Sequence, residues 1–160
     1  AEADREASIA RVNLFGWSMS GRRSLAEFFF NNLSAGKRVL GFTDVIFCPL
    51  LVNDLAHVLV RMLELRLSGL YHTVGGECLS KYEFGVRLAQ RFGLDAGLIT
   101  PASVEQGGLS AARAPNLSLR TDKLASALGA PLPTLSPALN RFYTLYQQGY
   151  PHFLQKLKSP

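Results

Sequence analysis

Arg11-Val12-Asn13-Leu14-Phe15-Gly16-Trp17-Ser18 is the stretch on which the fold of this chain turns. Ile9 to Phe15 is mostly apolar and stops at Gly16, the pattern of a strand covered on both faces. Trp17 and Ser18 lead into a polar loop, Ser18 to Arg23. A strand of that kind needs parallel neighbours, and little sequence precedes it. The stretch therefore reads as a central strand whose partners lie upstream, and the remainder of the chain reads as the closing half of an α/β domain.

Composition bounds the possibilities. With 160 residues, 48% hydrophobic and 18% charged, the chain can bury a real core and is not of a disordered type. The apolar run from Leu55 to Leu67 is broken by His57, Arg61 and Glu64, short of the roughly 18 uninterrupted apolar residues that a membrane span needs. The opening Ala1-Glu2-Ala3-Asp4-Arg5-Glu6 is charged and helix-prone, unlike a signal peptide, and reads as the tail of a helix. Cys48 and Cys78 stand alone, with no CxxC pair and no clustered histidines, so two reduced, buried thiols and a cytoplasmic location are expected. The net charge of +5 comes from scattered cations without an RNP or helix-turn-helix pattern; it suits an anionic small molecule better than nucleic acid.

Along the chain, Ser24-Leu25-Ala26-Glu27 is a capping box, predicting a helix over 24–35 closed by Gly36, with Phe28, Phe29 and Phe30 read as core. Arg38 to Phe42 reads as a short strand. Thr43 to Pro49 reads as an edge or loop-like strand, because Pro49 cannot donate to a central ladder. Asn53 or Asp54 is expected to cap a helix over 53–66, with Leu55, Val58, Leu59 and Met62 inward and His57 on the wet face. Gly69 to Val74 is a further strand. Ser80-Lys81-Tyr82-Glu83 is a second capping box, opening a helix over 80–92 with Phe84, Leu88 and Phe92 inward and Glu83, Arg87 and Arg91 outward. Leu98 to Pro101 is extended. Residues 102–118 form a long irregular stretch, of the kind that often carries function. Thr121 to Leu128 reads as a short helix, and Ser136-Pro137 as the start of the last one, with Leu139, Phe142, Tyr143 and Tyr146 on its inner stripe.

Chemical motifs are sparse. There is no GxGxxG or P-loop, no GxSxG elbow, and the three histidines are too far apart to suggest a metal site. None of the five tyrosines has a lysine four residues later. Against that background the chain resembles one family. Arg11 to Trp17 is similar to the strand that follows the catalytic helix in extended short-chain dehydrogenases, above all the dTDP-4-dehydrorhamnose reductase-like sugar-nucleotide reductases. Asp44 to Ala56 resembles that family's Pro-x-x-x-x-Asp-Leu-Ala segment, and Gly69 to Gly76 its Gly-x-Tyr-His strand. Ser80 to Phe84 resembles its Ser-x-Tyr-Glu-Phe helix start. Arg113-Ala114-Pro115-Asn116-Leu117-Ser118-Leu119 resembles its late Arg-Pro-x-Asn-x-x-Leu motif, with Ala114 in place of the usual Pro. The five stretches fall in the family's order over residues 5–149.

The resemblance implies an α/β fold: the C-terminal half of a Rossmann-like NAD(P)-binding domain plus a small mixed α/β substrate-binding lobe. Residues 1–18 would be the end of the catalytic helix and a late Rossmann strand. Residues 19–160 would be the substrate-binding lobe with interleaved Rossmann elements, the two forming one incomplete unit. It implies NADP or NAD as cofactor of the complete protein and none for this chain alone, since the glycine fingerprint and the Tyr-x-x-x-Lys pair are absent. The implied activity is reduction of a 4-keto-6-deoxy nucleotide-sugar, with no catalytic residue in this chain. The alternative is a non-catalytic regulatory or interaction subunit on the same fold. Implied partners are a nucleotide-sugar and either the missing N-terminal half or another copy, with no nucleic acid and no membrane.

For the site, Asn13 stands at a strand's carboxyl end, where open α/β sheets place ligands. It is expected to hydrogen-bond the sugar or diphosphate, or else to order the loop. Arg113 is the diphosphate candidate, because a guanidinium can hold two phosphate oxygens; a fold-locking arginine is its other reading. Trp17 could wall the sugar or be core. Phe47, with Val45, could line the base pocket by resemblance, and Asn116 belongs to the late motif. Tyr82 and Glu83 are read as structural, and Arg22 and Arg23 as a solvated loop.

Overall fold

The decisive stretch is two short strands rather than one. In a computed structural model, which describes residues 6–107 and 114–157, β1 (Ser8–Arg11) and β2 (Leu14–Phe15) are separated at Val12 and Asn13. The break has a local cause. The Asn13 side-chain amide donates to the Leu117 carbonyl at 2.9 Å, while its own carbonyl accepts from the Leu50 N–H at 2.8 Å. The chain thereby changes partner between the two halves. Nor is the strand covered on both faces: Ile9 is 55% exposed and Leu14 47%, and only Phe15 is fully enclosed.

The next elements are α1 (Leu25–Ser34), β3 (Val39–Phe42), β4 (Ile46–Phe47), β5 (Leu50–Leu51), α2 (Val52–Glu64), β6 (Gly69–His72), β7 (Leu79–Ser80) and α3 (Lys81–Phe92). After these come β8 (Ile99–Ala102), β9 (Asn116–Leu117), α4 (Asp122–Leu128), α5 (Leu135–Gln147) and α6 (Tyr150–Lys156). β1 runs parallel to β6, β2 to β5, and β3 to β8. β4 is the middle of a three-stranded sheet, antiparallel to β7 and parallel to β9. Parallel pairs joined through helices are the mark of an α/β architecture.

Both capping boxes form. Ser24 accepts from the Glu27 N–H and Ser80 from the Glu83 N–H, and each glutamate reaches back to its cap. Gly36, Gly93 and Gly129 take positive φ just past helix ends, as C′ or cap residues free of a Cβ penalty. Several expectations are corrected. β4 is central and not an edge: Pro49 falls two residues beyond Phe47, outside the ladder, so its missing N–H interrupts nothing. α2 begins at Val52 with no side-chain cap, because Asp54 is buried and turned to Arg141 instead. Leu59 and Phe28 are about two-fifths exposed, not core. α5 begins at Leu135, two residues before Pro137, and is followed by α6, which the composition did not suggest.

Cys48 and Cys78 are joined in a disulfide, contrary to the expectation of two reduced thiols. β4 and β7 pair Phe47 with Leu79, so Cys48 and Cys78 come next, directly opposite one another across two antiparallel strands. Only Cys48 is buried; Cys78 is exposed.

The core is aromatic and lies where α1, α3 and α5 converge on β2. Phe15, Phe84 and Phe142 are wholly buried and Phe29 is 1% exposed. Phe15 meets Phe84 and Phe142 edge-to-face at 5.2 and 5.6 Å. Each such ring contributes about 2–3 kcal/mol of burial, with about a further 1 kcal/mol for the paired geometry. A smaller cluster of Val58, Met62, Tyr71, Leu124 and Leu132 joins α2, β6 and α4. Among the described residues no helix is long and apolar enough to cross a membrane.

Candidate functional site

The carboxyl ends of β1 and β6 point at the segment 114–121. Two bonds strap that segment across them: Asn13 Nδ2 to the Leu117 carbonyl, and His72 Nδ1 against the Arg120 carbonyl at 3.1 Å. The same segment enters the ladder of β4, where Phe47 stands opposite Leu117 and the Ile46 N–H donates to the Pro115 carbonyl. Asn13 and Asn116, 103 positions apart in sequence, thus belong to one surface. Asn116 is exposed; its Oδ1 accepts from the Ser118 N–H at 2.9 Å and the Ser118 hydroxyl at 2.6 Å. Arg113 lies outside the described residues.

Two of the sequence candidates are enclosed. Trp17 is 9% exposed, stacks on Phe142 at 4.1 Å, and spends its indole N–H on the Phe142 carbonyl at 3.2 Å. Its surroundings are those of core, the other reading left open for it. Phe47 is 7% exposed and meets Phe84 edge-to-face at 5.4 Å; Val45 is 1% exposed. Both are packed into the interior.

A cleft of about 510 Å³ lies between α1, β3 and the start of α3, lined by Leu25, Phe28, Phe29, Leu40, Phe42, Lys81 and Gly107. This is an apolar slot with Lys81 among its described lining residues, of a size that takes a small-molecule group. Sequence reasoning assigned the phenylalanines to core and passed over Leu40, Phe42 and Lys81. The signal lay in Leu40 and Phe42, two apolar residues on the same face of a short strand, with a phenylalanine run on the preceding helix. The slot and the asparagine surface are joined through β4. The Lys81 N–H donates to the Val45 carbonyl at 3.0 Å on one side, and β9 pairs with β4 on the other.

Behind the slot, Glu27 is completely buried and collects the loop that follows β2. Its carboxylate accepts from the Ser18 N–H at 2.6 Å, the Ser18 hydroxyl at 2.9 Å, the Arg23 N–H at 2.9 Å and the Ser24 N–H at 3.0 Å. Arg22 and Arg23 are exposed on that loop, as expected. Glu83 does the same at α3, where hydrogen bonds from the Ser80 backbone and hydroxyl, with Arg87 nearby, hold its carboxyl below the usual range against a small opposing effect of burial. His57 is exposed on α2. Among the described residues no three His, Cys, Asp or Glu side chains converge as a metal site.

Known proteins of the same fold carry nucleotide cofactors and sugar-nucleotide names. The dTDP-4-dehydrorhamnose reductase of Clostridium acetobutylicum superposes with a TM-score of 0.77 at 20% identity, over 88% of this chain and 49% of that one. The dTDP-4-dehydrorhamnose reductase of Bacillus anthracis, solved in complex with NADP, gives 0.77 at 21%, over 86% and 48%. At these identities the likeness is one of fold, and it matches the expected mixed α/β class. In sequence, the probable low-salt glycan biosynthesis reductase Agl14 of Haloferax volcanii is 28% identical over 109 residues, 68% of this chain and 36% of that protein. The chain therefore spans about half the length of the solved relatives and about a third of the curated one. Residues 2–148 match the family described as the RmlD substrate binding domain, and the chain belongs to that family.

Proposed function

We propose that this chain is the substrate-binding part of an NAD(P)H-dependent sugar-nucleotide reductase acting on a 4-keto-6-deoxy nucleotide-sugar. The observation that carries the reading is the apolar slot beside the Asn13–Asn116 surface. A nucleotide-sugar asks for an apolar wall for its base, cations or N–H donors for its diphosphate, and amides or hydroxyls for its sugar. In this reading the base enters the slot against Phe42 and Leu40, Lys81 serves the diphosphate, with Arg113 kept as a candidate from the sequence alone, and Asn13 and Asn116 serve the sugar side. Asn13 already donates one amide hydrogen to Leu117, which leaves its second for a ligand.

We assign no cofactor site to the described residues. A dinucleotide pyrophosphate needs glycines that admit backbone N–H groups. The pair Gly75–Gly76 instead admits carbonyl oxygen: a Cβ on Gly75 would collide with the Pro49 carbonyl, and one on Gly76 would stand 2.5 Å from the Leu132 carbonyl. Carbonyl oxygens repel phosphate. NADP or NAD is accordingly assigned to the complete protein, and no chemical step is assigned to the residues of this chain.

The test is calorimetric titration of dTDP into the chain, with Phe42→Ala and Lys81→Ala beside the wild type. Each variant is expected to lose roughly 5- to 50-fold in affinity. Equal affinity in all three would refute the slot as the base site. Added NADPH and dTDP-keto-sugar should give no NADPH oxidation by the chain alone, and turnover would overturn the division of labour.

A further inference from the structure

The Cys48–Cys78 bridge stands where the two halves of the proposed site are tied to the same sheet. Two residues after Cys48, the Leu50 N–H donates to the Asn13 carbonyl at 2.8 Å, fixing the break in the strand from which the Asn13 amide projects. Three residues after Cys78 comes Lys81, which lines the apolar slot and donates its N–H to the Val45 carbonyl. The short β4–β7 ladder between these points has only two residue pairs, Ile46 with Ser80 and Phe47 with Leu79. A ladder that short has little cooperative strength of its own. The bridge closes it at the next position and makes the spacing between the Asn13 corner and the start of α3 a covalent matter.

Exposure makes the bridge reachable from one side. Cys48 is fully buried behind Pro49, whereas Cys78 is exposed beside Glu77, whose carboxylate pairs with Arg87 at 2.5 Å and accepts from the Leu135 N–H at 3.3 Å. We infer that the Cys48–Cys78 disulfide is a redox-responsive staple of the substrate site: oxidised, it holds the Asn13 corner and the Lys81 edge of the slot at binding distance; reduced, it lets them separate. The reductant is a dithiol. Its thiolate attacks Cys78 Sγ, the S–S bond breaks, and Cys48 leaves as a thiolate that takes up a proton. The second thiol of the dithiol then displaces Cys78, forming the reductant's own disulfide and freeing the Cys78 thiol. Two electrons and two protons pass to the protein. The inference rests on the substrate-site reading above for its ligand, and on the geometry alone for the loosening.

The test compares the chain as isolated without reductant, after dithiothreitol, and after reoxidation, with Cys78→Ser as a form that cannot close the bridge. Mass shift on alkylation should show no free thiol before and two after reduction. Reduction should lower the melting temperature by roughly 5–12 °C, the effect of opening a loop of 30 residues in a chain of this size. It should also raise amide hydrogen exchange at Leu79–Tyr82 and at Leu50. The affinity for dTDP should fall roughly 3- to 10-fold, return on reoxidation, and be low and reductant-insensitive in Cys78→Ser. Two free thiols that resist oxidation, or identical exchange in the oxidised and reduced chain, would overturn the staple. Unequal exchange with equal dTDP affinity would overturn its control of the site. If neither form binds dTDP, the substrate reading fails, and the exchange comparison still decides the staple.

Discussion

Replacing Glu27 should injure this protein about as much as truncating a buried ring of the same helix. The carboxylate is wholly buried and accepts four hydrogen bonds, three from backbone N–H groups of Ser18, Arg23 and Ser24 and one from the Ser18 hydroxyl. Hydrogen bonds to a charged acceptor contribute about 1.5–3 kcal/mol each, and a donor left buried without a partner costs about 1–3 kcal/mol. The four are not additive, since they share one carboxylate and water can enter the space an alanine leaves. For Glu27→Ala we expect about 3–5 kcal/mol, near the upper end for single substitutions, or a melting temperature about 6–20 °C lower. Glu27→Gln separates the charge from the shape. Its amide oxygen can keep the three donors at the Oε2 position, but its NH2 group then faces the Ser18 N–H, and we expect about 1–3 kcal/mol. Ser24→Ala removes the cap acceptor of the Glu27 N–H and a donor to the Gly16 carbonyl, for about 1 kcal/mol. Urea unfolding of the three variants gives the order directly. A Glu27→Gln chain within about 0.5 kcal/mol of wild type would refute the claim that the loop is held by the carboxylate, because the one substitution that turns a donor against a donor would then cost nothing.

Three further outcomes concern single sites. Asp54 is buried while Arg141 is half exposed, so Arg141→Ala should strand the carboxylate and cost about 1–3 kcal/mol by urea unfolding, whereas Asp54→Leu with Arg141→Met should recover most of it. Gly75→Ala should destabilise by about 3 kcal/mol or more and yield little soluble chain, because its Cβ would meet the Pro49 carbonyl, which is backbone and cannot step aside. The folded-state pKa of Glu83 lies below its ordinary 4.5, so the stability it contributes is present above about pH 4.5 and lost as pH falls through the lower folded value. Melting curves of wild type and Glu83→Gln should therefore differ at neutral pH and converge in the acid range; a difference that persists there would show that Glu83 acts through packing and not through its charge.

Helix positions were legible because their signals are local. Ser24 and Ser80, each three residues before a glutamate, predicted the two helix starts to the residue, since a capping box is a property of four adjacent positions. Strand partners were not legible to that degree. Ile9 to Phe15 reads as one strand because its apolar run is unbroken, but the run changes partner at Asn13, where the deciding groups are Leu50 and Leu117, far away in sequence. Pro49 misled for a related reason: it excludes its own position from a ladder, and says nothing of Phe47 two places earlier, which sits in the middle of one. The absent side-chain cap of α2 is the clearest local signal overruled, with Asp54 drawn inward by an arginine 87 residues on.

The site divides along the same line. Asn13 could be singled out from one strand end, and Asn116 from one motif, but that both belong to one surface is a fact about the β4–β9 ladder. The apolar wall shows the harder limit. Hydrophobic periodicity tells which residues prefer to leave water and not what they will meet, so Phe28 reads as core, Leu40 and Phe42 read only as parts of a short strand, and Phe47 and Trp17 read as wall candidates. The exchange of roles comes from the aromatic count. Phe15, Phe84, Phe142, Phe47 and Trp17 already fill the space between β2, α3 and α5. Phe28 of α1 stays 43% exposed and Phe42 of β3 half-buried, outside an interior that packs to crystal-like density. They line a slot instead. Filling that slot with a flat apolar group should therefore stabilise the chain, and dTDP should raise its melting temperature by an amount that Phe42→Ala diminishes and Phe47→Ala, for all its damage to the core, does not abolish.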